Sequence, residues 1–299
     1  MHTEDFDELY NDLDILSNNE IINLLLDSQV VGLEKTRNAK NSIIDAAEKL
    51  SLHLNLTKDG RLIYAGAGTS GRLGVLDCSE LNPTFGWPLE RSGFLMAGGL
   101  KALTNPVEGA EDNIAADNAE VKNMALNNAD ALVAISASGS TPYTVAVCEA
   151  AKAAGALTIA LANNEYSPIL LNADCKIIIP SGAEAISGST RMTAGTIQKV
   201  ALNMLSTLTM IRLNRTYGSY MVDVQASNDK LKKRATKMVS EISQVDTNTA
   251  LNALDKAKYN PKVAILIAMG LNFSDSMELL NQFNGNLRKA LTKLRNNNT

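Results

Sequence analysis

Five apolar runs of strand length alternate with helix-length segments between Gly60 and Pro180, and this alternation limits the possible folds of the chain more than any other feature. The runs are LIYAG, FLMAGG, ALVAIS, LTIALA and KIIIP. Strands that are apolar at nearly every position are typical of parallel sheets covered by helices on both faces. The pattern therefore predicts an α/β fold, a three-layer doubly wound sheet of about five parallel strands. Ligands bind such sheets at the carboxyl ends of the strands.

Helical patterns flank this region on both sides. Apolar residues recur at helical spacing from Asn19 to Leu56, which predicts two helices. A long, mostly apolar helix is predicted from Arg191 to Leu213, and a hydrophilic joint from Ser227 to Arg234 leads to a tail. From Asp246 the tail shows three short helical patterns, with a predicted start, cap and break at Pro261, Ser274 and Gly285. We expect three parts: N-terminal helices packing on the core (1–56), an α/β domain that includes the long helix (57–225) and a C-terminal helical subdomain (226–299).

Charge and cysteine content limit the classes of binding partner and the cellular compartment that we expect for this protein. The formal net charge of −4 does not provide the basic surface that attracts nucleic acid or an anionic membrane. No apolar run approaches the roughly 20 residues of a membrane span, and the acidic start MHTEDFDELYNDLDIL is unlike a signal peptide. Cys78, Cys148 and Cys175 stand in apolar contexts, which is typical of buried free thiols in a reducing compartment. The sequence predicts a cytoplasmic protein that binds neither nucleic acid nor membrane.

Histidine is nearly absent, which narrows the chemistry. The only two histidines are His2 and His53. A Ser-His-Asp triad or a histidine-rich metal site is therefore not expected. Acid–base chemistry at neutral pH must then depend on carboxylates, Lys, Tyr or Cys.

The first apolar run is followed by GAGTSG, in which Gly66, Gly68 and Gly71 match the G-x-G-x-x-G pattern of dinucleotide sites. Such a site also needs an acidic residue at the end of the second strand, to bind the ribose. The run FLMAGG ends without one, and no Lys follows the glycines as a Walker-type loop would require. The loop instead carries two adjacent hydroxyls, Thr69 and Ser70. We therefore predict that it is not a dinucleotide site.

A second loop with the same chemistry follows the third apolar run. Here Ser136, Ser138, Ser140 and Thr141 surround a glycine, and Pro142 suits the first position of the next helix. A helix start offers unpaired N–H groups and the positive end of the helix dipole, and hydroxyls can complete a phosphate site without Lys or Arg. Two such loops, at the ends of strands expected to be neighbours, predict a site for a phosphate monoester.

The motifs GAGTS and SASGST resemble the sugar isomerase (SIS) domain, whose members bind phosphorylated sugars. The resemblance is closer to one family, the N-acetylmuramic acid 6-phosphate etherases. The stretches that match this family are 61–86, 97–113 with NPVEGAEDN, 136–143 with SASGSTPY, 187–207 with SGSTRMTAGTIQKVALNMLST, and 221–231 with MVDVQASNDKL. The resemblance implies a lyase without metal or cofactor, which converts N-acetylmuramic acid 6-phosphate and water to N-acetylglucosamine 6-phosphate and D-lactate. It also implies a homodimer with sites near the interface.

The resemblance assigns catalysis to two carboxylates. Glu80, in LDCSELNP, takes the proton-donor role, and Glu111, in VEGAEDN, takes the second catalytic role. Which of them acts at C2 in each step stays open. Partial burial of Glu80 in its apolar stretch is expected to favour the acid form. Glu108 is a local alternative to Glu111.

The resemblance also assigns substrate binding. Its phosphate-hydroxyl positions are Ser70, Ser136, Ser138 and Thr141, and we add Thr69, Ser140 and Arg191 as candidate contacts to the phosphate or sugar. Arg191 suits a cation near the phosphate or at a subunit contact, whereas a lone Arg at a helix start more often has a structural role. Two positions depart from the family: Ser140 stands where relatives often have Arg, and Thr193 where they often have Lys.

Two other functions remain open from the sequence. A sugar phosphate isomerase would share the phosphate site and ring opening, but would release no lactate. A regulator that only senses a sugar phosphate could dispense with Glu80 or Glu111, and this chain has both.

Overall fold

The computed structural model describes residues 3–112, 119–224 and 228–297. Its centre is a parallel sheet with the strand order β2-β1-β3-β4-β5. The strands are β1 (Leu62–Gly66), β2 (Ser92–Met96), β3 (Ala131–Ser136), β4 (Leu157–Ala162) and β5 (Cys175–Ile178). Three of them match the predicted runs residue for residue, because nearly every position in those runs is buried.

Successive residues of the strands face different helices, as the strand period of two requires. Ile63 and Leu132 belong to one buried cluster with Val147 of helix α5 (Pro142–Ala153). A Cβ added at Gly74, in helix α3 (Gly68–Phe85), would instead lie 2.9 Å from Ile135 Cδ1. Helices therefore cover both faces of the sheet, and the predicted three-layer α/β fold is confirmed.

The other helices of this part of the chain are α1 (Asn18–Asn38), α2 (Lys40–Leu56), α4 (Ala119–Met124) and α6 (Thr193–Arg212). The predicted N-terminal pair and the long helix are thus confirmed within one or two residues. Ser17 and Glu20 form a capping box that starts α1, with Ser17 N donating to Glu20 Oε2 at 2.9 Å.

Five helices follow α6: α7 (Asp229–Ser243), α8 (Thr247–Lys256), α9 (Pro261–Ala268), α10 (Phe273–Gln282) and α11 (Leu287–Asn297). The predicted hydrophilic joint over 227–234 begins at Ser227, outside the described residues, and is wrong from Asp229 onward, where a helix begins. There α7 is polar overall but buries Ala235, Met238, Val239 and Ile242 at helical spacing.

The tail after Asp246 holds four helices where the sequence predicts three. Asp246 itself caps α8, because its carboxylate accepts from the N–H groups of Asn248 and Thr249. Pro261 begins α9 and Gly285, with a φ of 73°, separates α10 from α11, as predicted. The predicted cap Ser274 is wrong, since Asn272 caps α10 two residues earlier.

The chain forms two compact units. One holds the chain up to Ser79 and Leu89–Thr209, and the other holds Glu80–Pro88 and Met210–Thr299. The second unit has its own buried core, which includes Val239, Leu254, Val263, Leu266 and Leu291. The three-part division drawn from the sequence stays a prediction.

All three cysteines are free and buried, as predicted. Burial raises the pKa of Cys78 to about 11 and that of Cys148 to about 12. No single helix in the described ranges is long and apolar enough to cross a membrane, although α9 and α10 together, bent by 116°, meet that test by length and composition.

Candidate functional site

The two hydroxyl-bearing loops follow neighbouring strands, as the sequence predicts. β1 pairs with β3 in parallel, with Gly66 opposite Ile135, so both loops leave the same edge of the sheet. The turn from β1 into α3 is tight, because a Cβ at Gly66 would lie 2.8 Å from the Gly71 backbone. Glycine at these positions therefore serves close backbone approach.

The second loop brings its four hydroxyls into one cluster. Ser136 Oγ lies 3.0 Å from Thr141 Oγ1 and 3.5 Å from Ser138 Oγ. Ser140 donates to Ser138 Oγ through both its N–H and its hydroxyl, at 3.2 and 3.1 Å. Thr141 stands at the N-cap of α5 without a side-chain capping bond. The cluster thus lies at a helix start, where backbone dipoles favour an anion.

The conformation of this loop depends on Gly139. Its φ is 70°, and an added Cβ would lie 2.2 Å from Ser167 Oγ. Its N–H donates to Ser136 Oγ at 3.0 Å. Ser136 is buried and Ser140 is exposed, so the cluster runs from the core to the surface.

In the first loop, Ser70 is tied to a buried chain of amides. Its hydroxyl donates to Gln198 Oε1 at 2.9 Å, and Gln198 Nε2 donates to Asn163 Oδ1 at 2.8 Å. Asn163 Nδ2 in turn donates to the Ile179 carbonyl at 2.9 Å. Thr69 is half-buried near Gly195, in the same α6 as Gln198. We call this chain of bonds from Ser70 to Ile179 the amide relay.

The sequence analysis missed Gln198 and Asn163, which are 0% and 1% exposed. A signal for Gln198 was present, since it is a large polar residue between Ile197 and Val200 in an apolar helix. Buried amides are nearly always hydrogen-bonded. Its partner could not be read from the sequence, because 128 residues separate Ser70 from Gln198.

A second asparagine connects the hydroxyl cluster to the start of the chain. Asn164 Nδ2 lies 3.4 Å from the Ser138 carbonyl and also donates to Thr3 Oγ1 at 3.0 Å. Thr3 N–H donates back to Asn164 Oδ1 at 3.1 Å. The fully buried Thr3 thus holds the N-terminal segment near the hydroxyl cluster through its two hydrogen bonds with Asn164.

Glu111 lies against the first loop. It belongs to a short 3-10 turn, Ala110–Asp112, and its side chain is exposed. Its Oε1 is 3.0 Å from the position that a Cβ on Gly68 would occupy. Gly68 is the first residue of α3, so the carboxylate stands at the positive end of a helix dipole. The alternative, Glu108, is exposed in the preceding turn.

Glu80 lies in the last two turns of α3 and is exposed, so the expected partial burial of this side chain is wrong. The reason is helical geometry: Asp77, Cys78 and Leu81 are buried, whereas Ser79 and Glu80 are exposed. An apolar sequence context therefore did not place this residue on the buried face.

Arg191 is exposed two residues before α6 begins. The start of α6 is instead held by Glu184, whose carboxylate accepts from the N–H groups of Thr193 and Ala194 at 2.9 and 2.8 Å. Thr193 is buried, and its hydroxyl accepts from Gln29 Nε2 at 3.1 Å. The departure at Thr193 thus serves packing between α6 and α1.

No group of three or more His, Cys, Asp or Glu side chains with metal-binding geometry occurs in the part of the chain that the structure describes.

Three family models match the chain. They are the N-terminal SIS domain of glucokinase regulatory protein over 45–152, the SIS domain over 103–208, and the C-terminal lid domain of glucokinase regulatory protein over 218–272. Together with the parallel sheet and its two loops, these matches define an SIS-domain protein.

Relatives narrow this class to one family. The chain is 43% identical over 295 residues to the N-acetylmuramic acid 6-phosphate etherase of Deinococcus radiodurans, covering 97% of this chain and 94% of the relative. It is 41% identical over 280 residues to that of Edwardsiella ictaluri, covering 93% of each. It is 46% identical over 233 residues to that of Actinobacillus pleuropneumoniae serotype 5b, covering 78% of this chain and 77% of the relative. The chain belongs to the N-acetylmuramic acid 6-phosphate etherase family, which confirms the resemblance seen in the sequence.

Proposed function

We propose that this protein is a carbon–oxygen lyase that converts N-acetylmuramic acid 6-phosphate and water to N-acetylglucosamine 6-phosphate and D-lactate, in amino-sugar and cell-wall recycling. The observation that carries the proposal is family membership over nearly the whole chain, with 43% identity to a relative of that name. The clustered hydroxyls at the start of α5 add physical support, since they suit a phosphate monoester.

The difficulty of the reaction explains why two carboxylates are needed. An alkoxide is a poor leaving group, so an alkyl ether does not break readily at neutral pH. When the sugar ring opens, the C1 aldehyde acidifies the C2 proton, and removal of that proton allows lactate to leave from C3. Water then adds to C3 of the conjugated alkene, and C2 is reprotonated. The steps need a base, and an acid for the leaving oxygen.

In this proposal Glu80 protonates the leaving lactate oxygen and Glu111 serves as the second acid–base group. The place of Glu111 beside the first loop supports its role, since its Oε1 lies 3.0 Å from the position that a Cβ on Gly68 would occupy. An ionised carboxylate can accept a proton from substrate. The opening and closing of the ring use the same acid–base pair.

The phosphate is held by Ser136, Ser138, Ser140 and Thr141 of the second loop, and by Thr69 and Ser70 of the first. Neutral hydroxyls and backbone N–H groups can bind a phosphate through charge-assisted hydrogen bonds. Arg191 provides a cation at the rim. Ser140, which replaces the family's common Arg, makes that rim less basic in this protein.

We further propose a homodimer in the cytoplasm that binds neither nucleic acid nor membrane. Four apolar side chains on one stripe of α1 are exposed in the single chain, at Ile22, Leu26, Val30 and Leu33. Their spacing of three or four residues forms a continuous face, which is typical of an interaction surface. We expect the dimer to bury more than about 1,600 Å² in total, the standard size of a stable interface. The buried free thiols suit a reducing compartment.

Release of D-lactate tests the function. The purified protein should release D-lactate from N-acetylmuramic acid 6-phosphate, and much less from the unphosphorylated sugar. Glu80→Gln should lower the rate by a factor on the order of 10²–10⁴, the usual size of a general-acid contribution. Isomerisation of a sugar phosphate without lactate would instead identify an isomerase. Binding without turnover would identify a sensor.

A further inference from the structure

The segment that carries Glu80 belongs to the same compact unit as the C-terminal helices. This unit combines Glu80–Pro88 with Met210–Thr299. We call Glu80–Pro88 the Glu80 segment. The C-terminal end of α3 and the residues that follow it therefore pack in one unit with the C-terminal helices.

The Glu80 segment has a defined internal structure. Its helix ends at Phe85, and Gly86 follows with a φ of 59°, the left-handed conformation that commonly ends helices. Gly86 N–H donates to the Asn82 carbonyl at 2.9 Å, and Asn82 Nδ2 donates to the Trp87 carbonyl at 2.9 Å. Trp87 is only 1% exposed. Both Gly86 and Trp87 are thus hydrogen-bonded to Asn82, which lies in the same helical turn as Glu80.

Arg215 contacts both of these groups. Its Nη1 donates to the Gly86 carbonyl at 3.3 Å, and its guanidinium carbon lies 5.4 Å from the centre of the Trp87 ring. Arginine suits this position because one planar group can donate a hydrogen bond and stack on an aromatic ring. One residue that follows α6 in the same compact unit therefore contacts the end of the Glu80 segment in two ways.

Arg215 is itself held by a partly buried ion pair. Its Nη1 lies 3.6 Å from Asp223 Oδ2, and Lys262 Nζ of α9 donates to the same oxygen at 2.6 Å. Lys262 also donates to the Asn214 carbonyl, the residue before Arg215, at 2.8 Å. Burial lowers the pKa of Lys262 and raises that of Asp223, and the attraction between the two charges opposes both shifts.

The backbone of the Glu80 segment also contacts the backbone of Asp223 directly. A Cβ at Gly86 would lie 2.1 Å from the Asp223 carbonyl oxygen, so the two backbones are in direct contact there. The charged cluster of Arg215, Asp223 and Lys262 lies at this contact. A displacement of the cluster must therefore move the end of the Glu80 segment.

We propose that Arg215, held by Asp223 and Lys262, is a positioning residue for Glu80, and that the C-terminal unit thereby takes part in the protonation of the leaving group. This inference rests on the proposed role of Glu80 as the proton donor. The opposing view is that the cluster has only a structural role, in which loss of one partner leaves another charge unpaired and destabilises the fold.

The test compares Arg215→Met with Arg212→Met, an exposed arginine three residues earlier. Two substrates are used: the natural lactyl ether, and an analogue with a halide at C3, which leaves with its electron pair and needs no proton. On the ether, Arg215→Met should lower kcat by about 10- to 100-fold, as a small misplacement of a catalytic group does, with KM unchanged. On the halide it should match wild type. Arg215→Lys, which keeps the charge, should recover part of the loss.

Three outcomes overturn the inference: ether kcat in Arg215→Met equal to that in Arg212→Met, a change in KM alone, or an equal fall on both substrates. If Arg215→Met does not fold, Arg215→Lys gives the same comparison, because it keeps the charge but loses the planar group that lies over Trp87. Glu80→Gln is measured in parallel. If that variant keeps full ether activity, the proposed role of Glu80 fails. If it is inactive on the ether while Arg215→Met is fully active, only the positioning role fails.

Discussion

Replacement of Gln198 by methionine tests the amide relay behind Ser70. The side chain is fully buried and makes two hydrogen bonds, to Ser70 and Asn163. Methionine has a similar length and shape but can supply neither bond. Asn163 Oδ1 would lose its donor in a site without access to water, while Asn163 Nδ2 keeps its bond to the Ile179 carbonyl.

The expected cost follows from these two groups. A buried acceptor left without a partner costs about 1–3 kcal/mol, and the lost bond from Ser70 adds about 0.5–1.5 kcal/mol. We therefore expect Gln198→Met to lower the free energy of unfolding by about 1.5–4.5 kcal/mol. Because Ser70 also loses its fixed orientation, KM for the sugar phosphate should rise.

A urea titration measures the loss of stability. The matched control is Lys199→Met, which introduces the same side chain at the next, exposed position of α6 and should stay within about 0.5 kcal/mol of wild type. The reasoning is refuted if Gln198→Met is as stable as the control. It is also refuted if the variant is less stable but binds the sugar phosphate with unchanged KM, because Ser70 would then act independently of the relay.

The remaining predictions concern the phosphate site, the assembly and the pH dependence. Ser138→Ala and Thr141→Val should each weaken substrate binding by about 1–3 kcal/mol without loss of fold. Unchanged affinity of the double variant in calorimetry would argue against the hydroxyl cluster. Val30→Glu, on the exposed stripe of α1, should shift light scattering from a dimer towards the 32.0 kDa of one chain. A wild type that is already an active monomer would contradict the homodimer. Burial raises the pKa of Asp130, but hydrogen bonds from Arg61 and backbone N–H groups outweigh it and hold this pKa below its usual range. A carboxyl of lowered folded-state pKa stabilises the fold above its unfolded pKa of about 3.9 and loses that contribution as the pH falls through the folded value. Acid should therefore reduce the unfolding free energy of wild type more than that of Asp130→Asn, and parallel acid titrations would contradict this.

Three strands of the sheet could be predicted residue for residue because they are buried along nearly their whole length. LIYAG, ALVAIS and LTIALA consist almost entirely of apolar residues, and the polar Thr158 in the last of them is buried as well. The two hydroxyl loops were predictable for a related reason, since the order of the strands places their carboxyl ends at one edge. Local pattern was sufficient wherever burial was uniform.

Prediction from the sequence failed where a side chain's environment is set by distant residues. Gln198 and Asn163 act through partners far along the chain, and Glu184 caps a helix that begins nine residues later. Glu80 was expected to be half-buried because its neighbours are apolar, but helical rotation exposes it. Helix α7 was missed for a similar reason, because its few buried residues are separated in the sequence by many charged ones.

The fate of the water oxygen is the most direct test of the proposed reaction. Elimination followed by addition of water breaks the bond between C3 and the ether oxygen and passes through a species without a proton at C2. In heavy-oxygen water the label should therefore appear at C3 of N-acetylglucosamine 6-phosphate and not in D-lactate. In deuterated water, C2 of that product should carry deuterium. Label in the lactate, with C2 unexchanged, would show attack at the lactate carbon and contradict the account.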